Sequence, residues 1–135
     1  MAFVLDASVT LSWAFPDEQH PIAIRANQLL EETPEIALVP DLWWYEVRNI
    51  LLVNERRRRI SPDGTAVFLK SLANLRIEMD SEHDEWQVLD LARIYKLTVY
   101  DAAYLSLAAR EGLHLATLDK ALQIAARAAE VSLLE

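Results

Sequence analysis

The feature that most constrains this chain is a short apolar run at its start that ends in a carboxylate, Phe3-Val4-Leu5-Asp6. A run of this kind, closed by a polar residue, is typical of a buried strand. In an open parallel α/β sheet, ligands bind outside the carboxyl ends of the strands. Asp6 therefore stands where a functional site forms, and the other side chains that meet it there decide the chemistry.

Apolar runs of strand length alternate with longer segments of helical periodicity along the rest of the chain. Strands are predicted at roughly 3–5, 36–39, 76–79, 113–117 and 131–134. Helices are predicted at roughly 9–14, 22–32, 42–58, 62–75, 82–95, 101–110 and 120–129, with 97–100 ambiguous. Alternation of strands and helices predicts right-handed crossovers and a mostly parallel sheet. We expect one α/β domain spanning residues 1–135, since no linker, repeat or low-complexity segment interrupts it.

The composition excludes several kinds of site. The chain has no cysteine, so disulfides and thiolate metal sites are excluded, and its three separated histidines disfavour zinc. A metal would be held by oxygen, which favours Mg²⁺ or Mn²⁺. With two glycines, neither a P-loop nor a dinucleotide-binding turn can be written. The net charge of −8 argues against passive binding of nucleic acid, but not against a nuclease whose metals neutralise its own acids.

The expected location is the cytoplasm. No segment has the length and hydrophobicity of a membrane span, and the N-terminus shows no basic segment followed by a long apolar stretch. The absence of cysteine is neutral to weakly favourable for a reducing compartment. We therefore expect no membrane partner.

Four acids can face one edge of the predicted sheet. Asp6 and Asp119 each follow an apolar strand, Asp101 follows the apolar stretch 97–100, and Glu46 lies one turn into the long helix after the second strand. Each aspartate alone also fits a simple helix N-cap, worth about 1 kcal/mol. Glu46 alone fits an exposed position on the polar side of its helix. The sequence leaves both interpretations open for each residue.

Four carboxylates that converge need either raised pKa values or cations between them. Two unit charges about 4 Å apart repel by roughly 4 kcal/mol at an effective dielectric constant of about 20. Several carboxylates with no nitrogen or sulfur ligand are typical of magnesium. Such a site suits attack by water on a phosphodiester, with no side-chain nucleophile.

At these residues the sequence resembles the PIN-domain nucleases, and among them the VapC-like toxins of type II toxin–antitoxin pairs. The matching segments occur in family order and span nearly the whole chain. They are Asp6-Ala7-Ser8-Val9 followed by Trp13, Glu46-Val47-Arg48-Asn49, Tyr100-Asp101-Ala102-Ala103-Tyr104-Leu105, and Thr117-Leu118-Asp119. The Tyr-Asp-Ala-Ala-Tyr-Leu run is the most specific of these segments. Members often carry a glycine where this chain has Glu130, in a loop far from the acids.

The resemblance implies a fold and an activity. The fold is a three-layer αβα arrangement around a five-stranded, mostly parallel sheet in the order 3-2-1-4-5, with the first strand at the centre. The activity is that of an endoribonuclease dependent on Mg²⁺ or Mn²⁺, which forms a homodimer and is inhibited by a partner antitoxin.

Site residues carry over by matching position. Asp6, Glu46, Asp101 and Asp119 would be the catalytic acids that hold metal, and Asp119 would be the most variable of them. Ser8 and Thr117 would supply hydroxyl groups beside the metal or phosphate, and Asn49 would support the site as a polar neighbour.

Two further features have alternative interpretations. The run Arg56-Arg57-Arg58-Arg59 fits either a solvated helix end or a contact to RNA phosphates or an acidic partner segment. The aromatic residues Trp43, Trp44 and Tyr45 fit a core or subunit interface better than a surface that stacks bases.

Two other classes of function compete with the nuclease. A receiver-like phosphoacceptor domain fits the length and the α/β alternation, although receivers carry paired acids after the first strand and Ala7 follows Asp6 here. A protein that only binds a partner is the third hypothesis, and the set of four acids argues against it.

Overall fold

The computed structural model describes all 135 residues. The chain forms four strands and seven helices, which turns and loops connect. The strands are β1 (Ala2–Leu5), β2 (Ile36–Pro40), β3 (Ile77–Asp80) and β4 (Leu115–Ala116). The helices are α1 (Ala7–Ser12), α2 (Pro21–Glu32), α3 (Leu42–Arg56), α4 (Pro62–Ala73), α5 (Glu85–Tyr95), α6 (Val99–Glu111) and α7 (Lys120–Ala128).

The four strands form one parallel sheet in the order β3-β2-β1-β4. β1 is central: Val4 pairs with Leu38 of β2 on one side and with Leu115 of β4 on the other. Successive side chains of a strand point to opposite faces of the sheet. Phe3, Val4 and Leu5 are all buried, so both faces of the sheet are covered at β1, as in parallel sheets generally.

The prediction of a fifth strand is wrong, although the predicted segment does lie beside β4. Residues 131–134 lie parallel to β4 but form only one isolated bridge, between Leu115 and Leu133. Two hydrogen bonds hold this segment, from Leu115 N–H to Ser132 O and from Leu134 N–H to Leu115 O. β4 itself has two residues, which leaves too little edge for a longer ladder. The sheet therefore has four strands in the order 3-2-1-4.

The ends of several elements differ from the predicted ones. α1 begins at Ala7, directly after Asp6, because the chain turns into a helix as soon as the strand ends. α6 begins at Val99 and its N-cap is Thr98, whose hydroxyl accepts the backbone N–H of Asp101. Asp101 therefore does not open this helix as predicted, but lies in its first turn.

Side chains cap some of the other helices but not all. Ser61 caps α4, and its side chain accepts the N–H of Gly64. Asp84 is the N-cap of α5, and its side chain accepts the N–H of Gln87. Asp41 precedes α3 without a side-chain cap, because its own backbone is already helical.

The topology brings the starts of several helices to one edge of the sheet. α1 follows β1 directly, α3 follows β2, and α7 follows β4 after a short connection. α6 packs against β1 and β2, and its first turn is the fourth helix start at this edge. No helix of this fold is both long and apolar enough to cross a membrane.

Candidate metal centre

Asp6 lies buried at the carboxyl end of β1 and is held by two hydroxyl groups. Ser8 Oγ and Thr117 Oγ1 each donate to Asp6 Oδ2, at 2.7 Å. Asp6 occupies the N-cap position of α1, but its side chain makes no capping hydrogen bond. The simple N-cap interpretation is therefore wrong for Asp6, whose carboxylate is turned towards the loop after β4.

The two hydroxyls are themselves fixed by the loop that follows β4. Ser8 Oγ accepts the backbone N–H of Leu118 at 3.0 Å, and Thr117 Oγ1 accepts that of Asp119 at 3.1 Å. Each hydroxyl therefore accepts a hydrogen bond from a backbone N–H and donates its own proton in a hydrogen bond to Asp6. This arrangement joins the ends of β1 and β4 through one carboxylate.

Glu46 is half-buried on α3 and accepts a hydrogen bond across the site from α6. Tyr104 Oη donates to Glu46 Oε1 at 2.6 Å. Burial first, and then the nearby charges of Asp6 and Glu46, raise the pKa of Tyr104 above its ordinary value of 10.0. The phenol therefore stays protonated and donates. Glu46 is not the exposed glutamate of the alternative interpretation.

Asp101 and Asp119 complete the acidic edge in different ways. Asp101 lies in the first turn of α6, where its backbone N–H donates to the hydroxyl of Thr98. Asp119 is exposed and caps α7, since its Oδ1 accepts the N–H of Leu122 at 2.9 Å. The N-cap interpretation is therefore correct for Asp119, while its charge still reaches the buried acids, as their pKa values show.

The acids lie close enough together for their charges to contribute to raised pKa values at Asp6, Glu46 and Asp101. Burial raises the pKa of Asp6 above 3.8, and the charge of Asp119 adds to this, against opposing hydrogen bonds from the two hydroxyls and a backbone N–H. Burial likewise raises the pKa of Glu46, with contributions from Asp6 and Asp101. For Asp101, burial is followed by the charges of Asp119 and Asp6. The edge therefore carries negative charge that the protein leaves uncompensated.

The donor set fits a hard divalent cation. Asp6, Glu46 and Asp119 each have one oxygen held by a hydrogen bond, while no side chain donates to the other oxygen. None of the four acids forms an ion pair with a lysine or arginine. As arranged in this structure, no three acidic or histidine side chains form a complete ligand set by themselves. Carboxylate oxygens without nearby basic side chains are suited to Mg²⁺ or Mn²⁺, whose remaining ligands are waters.

Asn49 is not brought into hydrogen-bonded contact with the acids. It is exposed on α3, one turn after Glu46, and its side chain forms no hydrogen bond. Its predicted supporting role stays a prediction.

The aromatic residues that precede Glu46 divide between core and surface. Trp43 is buried and its indole N–H donates to Thr10 Oγ1 at 2.9 Å, so the core interpretation is correct for it. Trp44 and Tyr45 are exposed, and Arg48 stacks on Trp44 at 4.0 Å.

The arginine run also divides in two. Arg59 is held by Asp17, Glu18 and Asn54 and stacks on Phe15. The other three arginines, Arg56, Arg57 and Arg58, are exposed and form no ion pair.

Tyr104 is the site residue that sequence reasoning missed. The Tyr-Asp-Ala-Ala-Tyr-Leu segment was interpreted for Asp101 alone. Residues three apart on a helix share a face, so Asp101 and Tyr104 point to the same side of α6. That spacing was the available signal.

With this geometry in place, the chain can be compared with known proteins. The PIN domain family matches residues 3–128. Ribonuclease VapC3 of Pyrobaculum aerophilum is 34% identical over 126 residues, which are 90% of this chain and 92% of that relative.

Solved structures share the fold at lower identity. The crystal structure of PAE2754 from Pyrobaculum aerophilum superposes with a TM-score of 0.72 and 22% identity, covering 93% of this chain and 84% of that one. Mycobacterium tuberculosis VapC20, described as a sarcin-ricin loop cleaving toxin, superposes with a TM-score of 0.60 and 10% identity, covering 91% of this chain and 94% of that one.

Proposed function

The chain belongs to the PIN-domain family, and from this premise we propose that it is a divalent-metal-dependent endoribonuclease and the toxin of a toxin–antitoxin pair. Its relatives include a ribonuclease of the VapC type, aligned over nearly the full length of both chains. In this proposal residues 1–135 form a single nuclease domain that acts in the cytoplasm on RNA phosphodiester bonds.

The observation that carries the proposal is the set of carboxylates with one oxygen tied and one free. Asp6 and Glu46 are each held on one oxygen by protein hydroxyls at 2.6–2.7 Å. A carboxylate held in this way is oriented before it meets a cation, which lowers the entropic cost of binding it. The metal-site roles of Asp6, Glu46 and Asp119 rest on this arrangement. That of Asp101 rests on its position near Asp119 and Asp6, whose charges add to the effect of burial in raising its pKa.

The bound cation supplies positive charge that lowers the pKa of an attacking water and neutralises charge on the scissile phosphate. The side chains do the rest. Ser8 and Thr117 keep Asp6 in place by donating to it, and they keep its charge tolerable in a buried position. No residue acts as a nucleophile: the oxygen of a water molecule bonds to phosphorus, the P–O3′ bond breaks, and the leaving O3′ takes up a proton, which gives a 5′-phosphate and a 3′-hydroxyl.

Asp119 and Asn49 have subsidiary roles in the proposed site. Asp119 uses one oxygen to cap α7, so it acts with the other oxygen, directly or through water. Asn49, exposed one turn beyond Glu46, supports the site as a polar neighbour of the substrate.

A cognate antitoxin protein and a second copy of this chain are the proposed protein partners. Both follow from the resemblance of the Asp-Ala-Ser-Val, Glu-x-x-Asn and Tyr-Asp-Ala-Ala-Tyr-Leu segments to those of the VapC-like toxins. No observation favours the receiver-like alternative: Ala7 stands where a receiver has its second acid, and the family match is to the PIN domain.

The test is cleavage of RNA by the purified protein with Mg²⁺ or Mn²⁺, with EDTA, and with the variants Asp6→Asn and Asp101→Asn. Wild-type protein should cleave with metal and not with EDTA. Each variant should lose about 100-fold or more, because changing even the hydrogen-bond partners of metal ligands costs about 10- to 100-fold. Asp63→Asn, an exposed acid in the first turn of α4, is the matched control and should cleave normally. Equal cleavage under all conditions would exclude the metal mechanism.

A further inference from the structure

We propose that the Tyr104 hydroxyl is a positioning group that sets the orientation of Glu46 for the metal and thereby tunes the affinity of the site. The inference rests on the proposed metal site and adds a residue to it. It starts from the one hydrogen bond that joins α3 to α6 at the acidic edge, from Tyr104 Oη to Glu46 Oε1 at 2.6 Å.

The burial of Tyr104 makes its hydroxyl a fixed point. Its side chain is fully buried, with 0% exposure, and belongs to the hydrophobic core. A tyrosine ring packed on all sides has little freedom to move its hydroxyl group. Glu46, by contrast, is half-buried at the end of a flexible side chain. The hydrogen bond therefore fixes the glutamate to the tyrosine, and not the reverse.

The hydroxyl also lies where several acid-bearing elements meet. Tyr104 is one helical turn after Asp101 on α6, it bonds Glu46 on α3, and the charge of Asp6 at the end of β1 reaches it. A displacement of Glu46 is thus resisted by a group anchored on the helix that carries another acid. Without the hydroxyl, both oxygens of Glu46 lack a protein donor, because no other side chain bonds them.

A purely structural hydroxyl would have a different arrangement. Ser106, on the same helix, donates to Gln87 Oε1 at 2.6 Å and joins α6 to α5 away from the acids. Tyr104 instead directs its proton at one of the four acids. The two hydroxyls on Asp6 show the same pattern, a protein donor on one oxygen of a carboxylate.

The experiment measures Mn²⁺ binding by isothermal titration calorimetry in the absence of RNA. Tyr104→Phe keeps the ring and removes only the hydroxyl, and the dissociation constant for Mn²⁺ should rise about ten-fold, within the range for partners of metal ligands. Tyr95→Phe, a partly buried tyrosine of α5 whose hydroxyl forms no hydrogen bond, is the matched control and should bind like wild type.

A double-mutant comparison separates action through Glu46 from a general loss of order. Adding Tyr104→Phe to Glu46→Gln should change the Mn²⁺ dissociation constant less than two-fold relative to Glu46→Gln alone. The same ten-fold loss in both backgrounds overturns the proposal, as does a folded Tyr104→Phe protein with wild-type affinity.

A measurement on the wild-type protein covers the case in which Tyr104→Phe does not fold. In protein with ¹³C-labelled tyrosine, substoichiometric Mn²⁺ should broaden the Tyr104 ring signals before those of Tyr95. Equal broadening of both overturns the proposal. Wild-type protein that neither binds Mn²⁺ nor cleaves RNA contradicts the proposed function instead, which keeps the two failures distinguishable.

Discussion

At the scale of single residues, the site depends on hydroxyl groups that hold carboxylates in place. Asp6 is buried, and a buried charge without donors is strongly unfavourable. Ser8 and Thr117 both donate to the same oxygen of Asp6. The fold therefore tolerates a charge at the end of its central strand because Ser8 of α1 and Thr117, just after β4, donate hydrogen bonds to it.

Thr117→Val tests this dependence with little change of shape. The substitution removes one of the two hydroxyl donors to Asp6 and leaves the N–H of Asp119 without its acceptor. The free energy of unfolding should fall by about 1–3 kcal/mol, the usual cost of unsatisfied buried groups. Urea denaturation at pH 7 in EDTA measures it.

Thr65→Val is the matched control for this substitution. Its hydroxyl also donates to a carboxylate, that of Glu55 at 2.7 Å, but away from the acidic edge. The control should lower stability without changing Mn²⁺ binding, whereas Thr117→Val should weaken both. Unchanged stability and metal binding in Thr117→Val would contradict the role given to Thr117.

At the scale of elements, the end of α3 is fixed by one arginine of a run of four. Arg59 donates to Asn54 Oδ1 at 3.1 Å and forms ion pairs with Asp17 and Glu18 of the loop after α1. Its guanidinium also lies over the Phe15 ring, at 4.4 Å. Arg59 thus connects α3 to the α1–α2 loop, while the preceding three arginines stay free.

Arg59→Ala should therefore destabilise the protein, and Arg57→Ala should not. The ion pairs are partly exposed and contribute little by themselves, so the expected loss of about 1–2 kcal/mol comes mainly from the Asn54 bond and the stacking on Phe15. Arg57→Ala should change stability by less than about 0.5 kcal/mol. Thermal denaturation of both variants beside wild type measures the difference, and equal midpoints would refute the assignment.

At the scale of the whole molecule, the sheet gathers charge at one edge and leaves it without basic partners. Three of the four acids have pKa values raised mainly by burial. Without metal, this concentrated negative charge therefore opposes folding. A bound divalent cation would neutralise the charge and remove this opposition. Stability should respond both to divalent cations and to pH.

Adding Mn²⁺ to EDTA-treated protein should raise the unfolding midpoint in a concentration-dependent way. A ligand that binds only the folded state stabilises it by about 2.7 kcal/mol at 100 times its dissociation constant. Calorimetric scans with and without Mn²⁺ measure the shift. Asp6→Asn should lose most of it and Asp63→Asn should keep it, and a shift of equal size in both variants would place the ion elsewhere.

The pH dependence follows from the sign of the shifts. An acid whose pKa is raised on folding is protonated to a greater extent in the folded state than in the unfolded state. Its contribution to stability is therefore present at low pH and is lost as pH rises through the raised pKa. For Asp6, the window opens at its ordinary value of 3.8 and extends upward to its folded pKa.

Metal-free protein should therefore lose the stability contributed by these acids as pH is raised from their ordinary pKa values through their raised folded-state pKa values. Asp6→Asn should flatten this part of the profile, because the amide does not titrate. Urea denaturation of both proteins in EDTA, at a series of pH values upward from about 4, measures the slope. Identical slopes would mean that Asp6 is not the source.

Much of the fold followed from local pattern. Phe3-Val4-Leu5 predicted a buried strand and the structure confirms it, because an apolar run of this length has to be covered on both faces. Its central place in the sheet, which the structure also shows, was implied only by the resemblance to PIN-domain nucleases. The prediction of a fifth strand was wrong because the extent of strand pairing depends on the length of the neighbouring strand. Here that neighbour is β4, which has only two residues. A single segment cannot reveal how much edge its neighbour offers.

The sequence by itself determined that Asp6 and Asp119 come to one edge of the sheet, since residues that follow parallel strands meet there whatever lies between them in the chain. Glu46 and Asp101 lie on helices α3 and α6, and only the resemblance to PIN-domain nucleases assigned them to the same site. Only the tertiary structure decided what each acid does. Asp6 and Asp119 look alike as caps in the sequence, yet Asp6 accepts hydroxyls while Asp119 accepts the N–H of Leu122. The contact between Tyr104 and Glu46 spans 58 residues of sequence. Several donors compete for each of these carboxylates, and the burial and direction of the side chains decide which hydrogen bond forms. The spacing of residues along the chain does not specify either property.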